Sequence, residues 1–382
     1  MRILHTADLH LGRTLDRHSL EQDQQSVLDQ ILAAVIKHEP NVVIIAGDIF
    51  DRPTAAQSVV AQFNNFVRSL ANQSQAALVM IAGNHDAQER IEAMGLLPDF
   101  NRVLIRGTAI ANEQPLILHD DFGPVAFTGL PYLHEFKARE LFENPNISSP
   151  EDILREQFEH AKASVPKGAR WVVTAHTFVA GAVTSDIEQP LSRVGGIDAV
   201  PGAIFEEANY IALGHLHKPQ SMYKKHIRYS GAPLALGFDE AGAKKSLSLV
   251  EMDAHGEIDV QEIPIEPLRQ LRVLRGKLSE LLANSVGNDD FYKIILTDKE
   301  NQIDPAKRIR EVYPNFCSLE YAKDEIGPGN IAGVPEMDAE LPKPEMVIEA
   351  FLKQVRDQDV SSDENHLIKH YLTALAAEEK FV

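Results

Sequence analysis

Five short segments of this 382-residue chain carry side chains that bind metal ions or move protons. In order they are Asp8-Leu9-His10, Gly47-Asp48-Ile49-Phe50-Asp51, Gly83-Asn84-His85-Asp86, His176, and Gly214-His215-Leu216-His217. Imidazole mixed with carboxylate suits borderline divalent metals such as manganese, iron, zinc or cobalt. Asp8, His10, Asp48, Asn84, His176, His215 and His217 make a larger donor set than one tetrahedral zinc, which takes about four ligands. Such a set around two ions ~3.5–4 Å apart, with a carboxylate between them, matches sites that hydrolyse phosphate esters. The ion pair clamps the phosphate, acidifies a water and offsets charge on the attacking and leaving oxygens. A spare imidazole can then protonate the departing alkoxide.

Each segment follows an apolar run, at residues 2–7, 41–47, 76–83, 170–175 and 209–214. Runs of this length, closed by Gly or a polar residue, read as strands buried on both faces. Ligand sites in open α/β sheets form outside the carboxyl ends of the strands. One histidine after one strand is an ordinary hydrogen-bonded residue. Five strands delivering Asp, Asn or His at the same end point to a shared site.

Helical periodicity fills the intervals. Val27, Leu28, Ile31, Leu32 and Val35 share a face over residues 24–37, and Val59, Val60, Phe63 and Val67 do so over 55–70. Ser149-Pro150-Glu151-Asp152 opens a third helix, with Ser as N-cap and Pro at the first position. Residues 246–264 alternate apolar and polar around His255-Gly256, a hairpin signature. Strands alternating with helices give a layered α/β domain. After Pro264 and Pro267, residues 268–323 read strand, helix, strand, helix, strand. A Gly/Pro/acid stretch follows that sustains neither helix nor central strand. Two amphipathic helices close the chain, the second opened by the capping box Ser361-Ser362-Asp363-Glu364. The organisation expected is a domain at 1–265, a small α+β domain at 266–325, a linker at 326–344 and C-terminal helices at 345–382.

Composition bounds the function classes. Apolar residues make up 44% of the chain, which excludes overall disorder, and no stretch approaches a membrane span. The opening MRILHTAD lacks a signal-peptide pattern, and a lone Cys317 permits no internal disulfide; both suit the cytoplasm. A formal charge of −19 argues against nucleic acid on bulk electrostatics. That inference weakens once Asp8 and Asp48 are assigned to cations, whose charge turns the local field towards phosphate.

Asp-x-His, Gly-Asp-x-x-Asp, Gly-Asn-His-Asp, a lone His and Gly-His-x-His, in that order, resemble the calcineurin-like metallophosphoesterase superfamily. The chain is similar throughout to the branch of that superfamily that works with an SbcC-type ATPase. The segments 228–233 (RYSGAP) and 238–242 (FDEAG), the small domain and the terminal helices carry this closer likeness. The resemblance implies a metallophosphoesterase β-sandwich flanked by helices, with a small α+β capping domain and C-terminal helices. It implies two divalent ions, manganese in this branch. Asp8, His10 and His217 would hold one, Asn84, His176 and His215 the other, and Asp48 would bridge them. His85 falls where the family places its catalytic histidine. Asp86 either orients that imidazole or caps the loop. Asp51 stands where archaeal and eukaryotic relatives carry a second active-site histidine, Leu9 where tryptophan is common, and Ala175 where glycine is usual.

The implied activity is exonuclease and endonuclease cleavage of double-stranded DNA ends and hairpins, in repair and recombination. The ATPase would bind the C-terminal helices, two copies of the chain would form a homodimer within a heterotetramer, and the complex would associate with the nucleoid. Competing readings are a stand-alone phosphatase or cyclic-nucleotide phosphodiesterase, and a non-catalytic adaptor. The first needs neither the small domain nor the tail; the second is at odds with a complete donor set. His5 reads as a core histidine. Lys218, Lys224, Lys225 and Arg228, and the group Arg269, Arg272, Arg275 and Lys277, read as charged surface with the option of phosphate contact. The sequence leaves open whether Arg13 and Arg17 line the cleft.

Overall fold

In a computed structural model the apolar runs become the central strands of two six-stranded sheets. The structure describes residues 1–95, 102–185, 199–283, 288–298 and 302–322, and, beyond these, 348, 352, 360, 361, 364, 365, 367–369, 371 and 372. One sheet runs Ile258–Ile265, Lys245–Met252, Arg2–Thr6, Val42–Ala46, Ala77–Ile81, Val103–Arg106. Its last four strands are parallel. The other runs Gln220–Ser221, Ile227–Tyr229, Tyr210–Gly214, Arg170–His176, Gly123–Leu130, Leu116–Asp120, with its four central strands parallel.

Alternate residues of each strand serve different layers, which is why the runs are apolar throughout. Ile3, Val42, Ile44 and Val79 meet Val125, Phe127, Val172 and Ala212 between the sheets. Leu4, Val43, Ile45 and Met80 face outwards onto the helices Glu21–His38 and Gln57–Gln73, which contribute Leu28, Ile31, Phe63 and Phe66. On the far side Trp171, Val173 and Leu213 cover Leu154, Phe158 and Ala161 of the helix Pro150–Ala163. Ser149 caps that helix, its hydroxyl accepting from Asp152 N–H at 3.2 Å. The expected sandwich with flanking helices is therefore present. The His255-Gly256 hairpin forms in register from Lys245↔Ile265 to Met252↔Ile258.

Residues 103–130 supply three strands that apolar runs do not signal. Leu116–Asp120 is a half-exposed edge strand, and Gly123–Leu130 contains Pro124 and Gly129, which blur any strand pattern.

After Pro267 the strands Leu271–Gly276, Phe291–Leu296 and Phe316–Tyr321 form a parallel three-stranded sheet. Helices Leu278–Ala283 and Pro305–Val312 cover one face through Leu278, Tyr292, Ile294, Ile309 and Tyr313. On its other face Leu271, Phe291 and Cys317 join the core that holds Leu15 and Leu20. Arg269 pairs with Asp23 and lies 4.3 Å over the Phe291 ring. His18 Nε2 contacts the Phe316 carbonyl at 3.1 Å. The short hairpin Thr14–Ser19, just after the first metal-type motif, is thus its anchorage.

The chain divides into two compact units, Met1–Ala322 and Lys323–Val382. The expected linker, 326–344, lies outside the described residues. In the second unit Ser361 and Glu364 form the expected capping box, with N–H to side-chain bonds of 3.3 and 2.9 Å in the two directions.

His5 is fully buried within its strand, its Nδ1 2.9 Å from the Tyr210 hydroxyl, in keeping with a core role. Burial, helped by the Arg228 charge, lowers its pKa from 6.5 to about 3. The unfolded chain therefore takes up this proton below pH 6.5 while the folded chain resists it, so stability falls as pH drops from 6.5 towards 3. His5→Gln removes this ionisation. Its melting temperature should fall less between pH 7 and pH 4 than that of the native chain, as read by circular dichroism.

Candidate metal centre

The five strand ends meet where the two sheets approach too closely for side chains. A Cβ on Gly214 would lie 1.9 Å from the Ala46 carbonyl oxygen. One on Gly47 would lie 2.4 Å from His176 Nδ1, again across the sheets, while within one sheet a Cβ on Gly83 would lie 2.1 Å from Asp48 Oδ1. Gly47 also takes φ +90°, where glycine is at ease. Non-glycine residues seldom adopt positive φ. Of the nine that do among the described residues, Asp8, His10, Asp48 and His215 belong to this site. Strain concentrated at one set of polar side chains is typical of a functional site.

All seven predicted ligands, and His85, converge here. Asp48 is central: Oδ2 lies 3.3 Å from His176 Nε2 and 3.7 Å from His10 Nε2, while Oδ1 accepts from His85 N–H at 2.9 Å. Asn84 Oδ1 faces His176 Nε2 at 3.0 Å and His215 Nδ1 at 3.1 Å. Asp8 Oδ1 accepts from His215 N–H at 2.9 Å. The His10 and His217 rings stand edge to face at 5.2 Å, those of His176 and His215 at 5.3 Å, and those of His10 and His85 at 4.9 Å. His10 with His217, and His176 with His215, therefore form two halves with Asp48 between them.

Hydrogen bonds fix which nitrogen each ring presents. His176 Nδ1 donates to the Ala46 carbonyl at 2.8 Å, leaving Nε2 towards Asp48 and Asn84. His85 Nδ1 donates to the Asp51 carbonyl at 2.9 Å. His217 Nδ1 meets Glu240 Oε1 at 2.9 Å. Asp86 caps backbone: Oδ2 accepts from Gly83 N–H and Ile49 N–H, and Oδ1 from Phe50 N–H, at 2.9–3.1 Å. Of its two open roles, loop capping is the one realised. Two supports have no sequence signature. Gln24 spans the first motif, donating to the His10 carbonyl at 2.7 Å and accepting from Gly12 N–H at 3.0 Å. Glu240 sits in the segment 238–242, with nothing in its spacing to suggest a histidine partner.

The donor set fits divalent cations. Asp8 Oδ2 and His10 Nε2 are buried and make no hydrogen bond. Asp8, Asp48 and His176 bring one donor atom each within 4.8 Å of one another, as do His10, Asp51 and His85. Burial pushes Asp8 well above the ordinary carboxylate range, and lowers His10 and His215, His215 to about 3. Burial would raise Asp48 too, but His176 outweighs it by charge and hydrogen bond and holds Asp48 low. Two carboxylates crowded with imidazoles in a dry pocket are best balanced by cations.

Several candidate phosphate contacts are occupied elsewhere. Arg228 is buried and paired with Glu262 at 2.6 Å, Lys224 pairs with Glu206 at 3.1 Å, and Lys218 donates to the Thr184 carbonyl at 3.0 Å. Arg269 and Arg272 are matched by Asp23 and Asp290. Arg13 does reach the site, donating to Asp51 Oδ1 at 2.9 Å.

A calcineurin-like phosphoesterase family model matches residues 1–219. The chain belongs to that family. A second model, described as a type 5 capsule protein repressor C-terminal domain, matches residues 267–356. Over 382 residues the chain is 26% identical to the SbcD component of nuclease SbcCD from Staphylococcus epidermidis, covering 99% of this chain and all of that protein. Among solved structures, GAP50, the anchor in the inner membrane complex of Plasmodium, covers 86% of this chain and 99% of its own at 10% identity, with a TM-score of 0.38. That overlap is too low to bear on function.

Gly214→Ala tests the close approach of the strand ends. The backbone oxygen it meets cannot turn aside as a side chain could, so Ala46 and His176 must shift. We expect a loss of roughly 1–3 kcal/mol in stability and at least about tenfold in Mn²⁺ affinity, by denaturant melts and calorimetry. Gly276→Ala, whose Cβ meets nothing nearer than 3.5 Å, should leave Mn²⁺ binding unchanged.

Proposed function

We propose that this chain is the nuclease subunit of a complex with an SbcC-type ATPase, hydrolysing DNA phosphodiester bonds with two divalent ions, manganese by preference. The placement of Asp48 between His10 and His176, beside buried donor atoms with no protein partner, carries this reading. Asp8, His10 and His217 would hold one ion, Asn84, His176 and His215 the other, with Asp48 shared. When bound, the ions supply charge to orient the phosphate and to acidify the attacking water.

The chain's own residues do the rest. Asp86 and Gln24 hold the loops that present Asp48 and His10. His85, with Nδ1 committed to the Asp51 carbonyl, offers Nε2 as the proton donor to the oxygen that leaves phosphorus. Water loses a proton as it adds to phosphorus, the bond to that oxygen breaks, and the oxygen takes the Nε2 proton of the imidazolium form of His85, which the proton shed by the water restores. Asp51 meets Arg13 and lies 3.5 Å from His10 Nδ1, so a second catalytic histidine has no counterpart in this loop.

The domain reading keeps the boundaries 1–265, 266–325, 326–344 and 345–382. The α+β domain would cap the cleft over bound DNA, and the terminal helices would dock on the ATPase. Leu367, on the expected apolar face, is exposed at 59%, which supports docking on a partner. No helix among the described residues is long and apolar enough to cross a membrane. A cytoplasmic, nucleoid-associated heterotetramer with the nuclease chain as a homodimer completes the proposal.

His85→Gln should lower cleavage of linear and hairpin DNA by roughly 10²–10⁴-fold with bound manganese unchanged by elemental analysis. Loss of the metal instead would make His85 a ligand. Intact DNA after incubation with the Mn²⁺-loaded native complex and ATP would sink the nuclease reading. Deletion of 345–382 should abolish co-purification with the ATPase while sparing basal Mn²⁺-dependent hydrolysis; retained binding would place the partner surface elsewhere.

A further inference from the structure

The segment 238–242 carries part of the family likeness and touches the site through Glu240, whose role has not been assigned. Its helical turn Phe238–Glu240 brings Glu240 against His217, and both are buried, at 2% and 3% exposure. His217 Nδ1 donates to Glu240 Oε1 at 2.9 Å. Glu240 Oε2 accepts from Lys245 Nζ at 2.8 Å and from Leu236 N–H at 3.1 Å. Lys245 Nζ also donates to the His217 carbonyl at 3.2 Å, so one ion pair grips both the ring and the backbone of His217. Lys245 opens the strand Lys245–Met252, which pairs with Arg2–Thr6, the strand that leads to Asp8.

A neutral imidazole has one donor nitrogen and one lone-pair nitrogen. With Nδ1 donating to a carboxylate, Nε2 carries the lone pair that a cation takes. A carboxylate partner also makes the ring a stronger ligand than a neutral carbonyl does. Of the other rings, His176 and His85 each donate to a backbone carbonyl and His215 faces Asn84, while His10 Nδ1 faces a carboxylate, Asp51, at the longer distance of 3.5 Å. Lys245 compensates the Glu240 charge, which would otherwise stand buried and unmatched.

We propose that Glu240, braced by Lys245, is the positioning residue that fixes the tautomer and orientation of His217 for metal binding. This rests on the assignment of His217 as a ligand. The test is calorimetric titration of Mn²⁺ into the metal-free full chain, native and with Glu240→Ala, Glu240→Gln or His217→Ala. Glu240→Ala should weaken one of the two Mn²⁺ equilibria about 10–100-fold and leave the other unchanged. Glu240→Gln should weaken it less, because the amide oxygen still accepts from Nδ1 while the ion pair is lost. Nuclease turnover of both should recover at saturating Mn²⁺. Unchanged affinity in Glu240→Ala, with His217→Ala weakened, overturns the proposal. Turnover that Mn²⁺ does not restore marks Glu240 as merely structural and also overturns it. Normal Mn²⁺ binding by His217→Ala removes the ligand assignment and the proposal with it. Should the Glu240 variants fail to fold, ¹⁵N NMR of the native metal-free chain decides: a protonated Nδ1 with bare Nε2 on His217 supports the proposal, and the reverse overturns it.

Discussion

Two sheets that draw together at their strand ends, with no apolar layer between them, are the constraint on which the site depends. Elsewhere the sheets are separated by a layer of Ile, Val and Phe. At Gly47 and Gly214 that layer vanishes, and the Ala46 carbonyl of one sheet accepts directly from His176 of the other. Donor atoms from both sheets can then gather around Asp48. Parallel strands make this possible, because each delivers its carboxyl end, and the loop after it, to the same edge.

Electrostatics follow from that geometry. Asp8, Asp48, Asp86 and Glu240 are all buried near one another or near the site histidines, and each is answered differently. Asp86 is satisfied by three backbone N–H groups, Glu240 by Lys245 and His217, and Asp48 by its imidazoles. Asp8 keeps one oxygen with no protein partner. The overall charge of −19 therefore says little about the cleft, and part of it lies elsewhere: residues 336–382 carry 11 acids against 5 Lys+Arg.

Much of this was legible in the chain itself. Strands buried on both faces announce themselves as apolar runs, and metal-binding side chains gain meaning by standing at the same end of each. Ser149-Pro150 and the His255-Gly256 turn were readable because caps and turns act over three or four residues. The capping role of Asp86 was one of two open readings, while Gln24 and the Glu240–Lys245 pair were not readable, because their targets are backbone groups or rings brought near only by the fold. The option of phosphate contact, kept beside the charged-surface reading of Arg228, Arg269 and Arg272, closes for a related reason: their acidic partners are supplied from other parts of the chain. The edge strand Leu116–Asp120 was silent since a half-exposed strand needs no apolar run.

Donors from Asp8 to His217 stand at or just beyond the ends of strands of both sheets, and this has a consequence in time as well as in space. Folding must close long loops before any two halves of the cluster meet, a slow kind of search. During synthesis the first sheet can collect Asp8, His10, Asp48 and Asn84 early, but His215 and His217 emerge only after most of the second sheet has left the ribosome. A chain that ends before His217 therefore lacks the complete donor set, and the cluster assembles only in molecules whose two sheets have already docked.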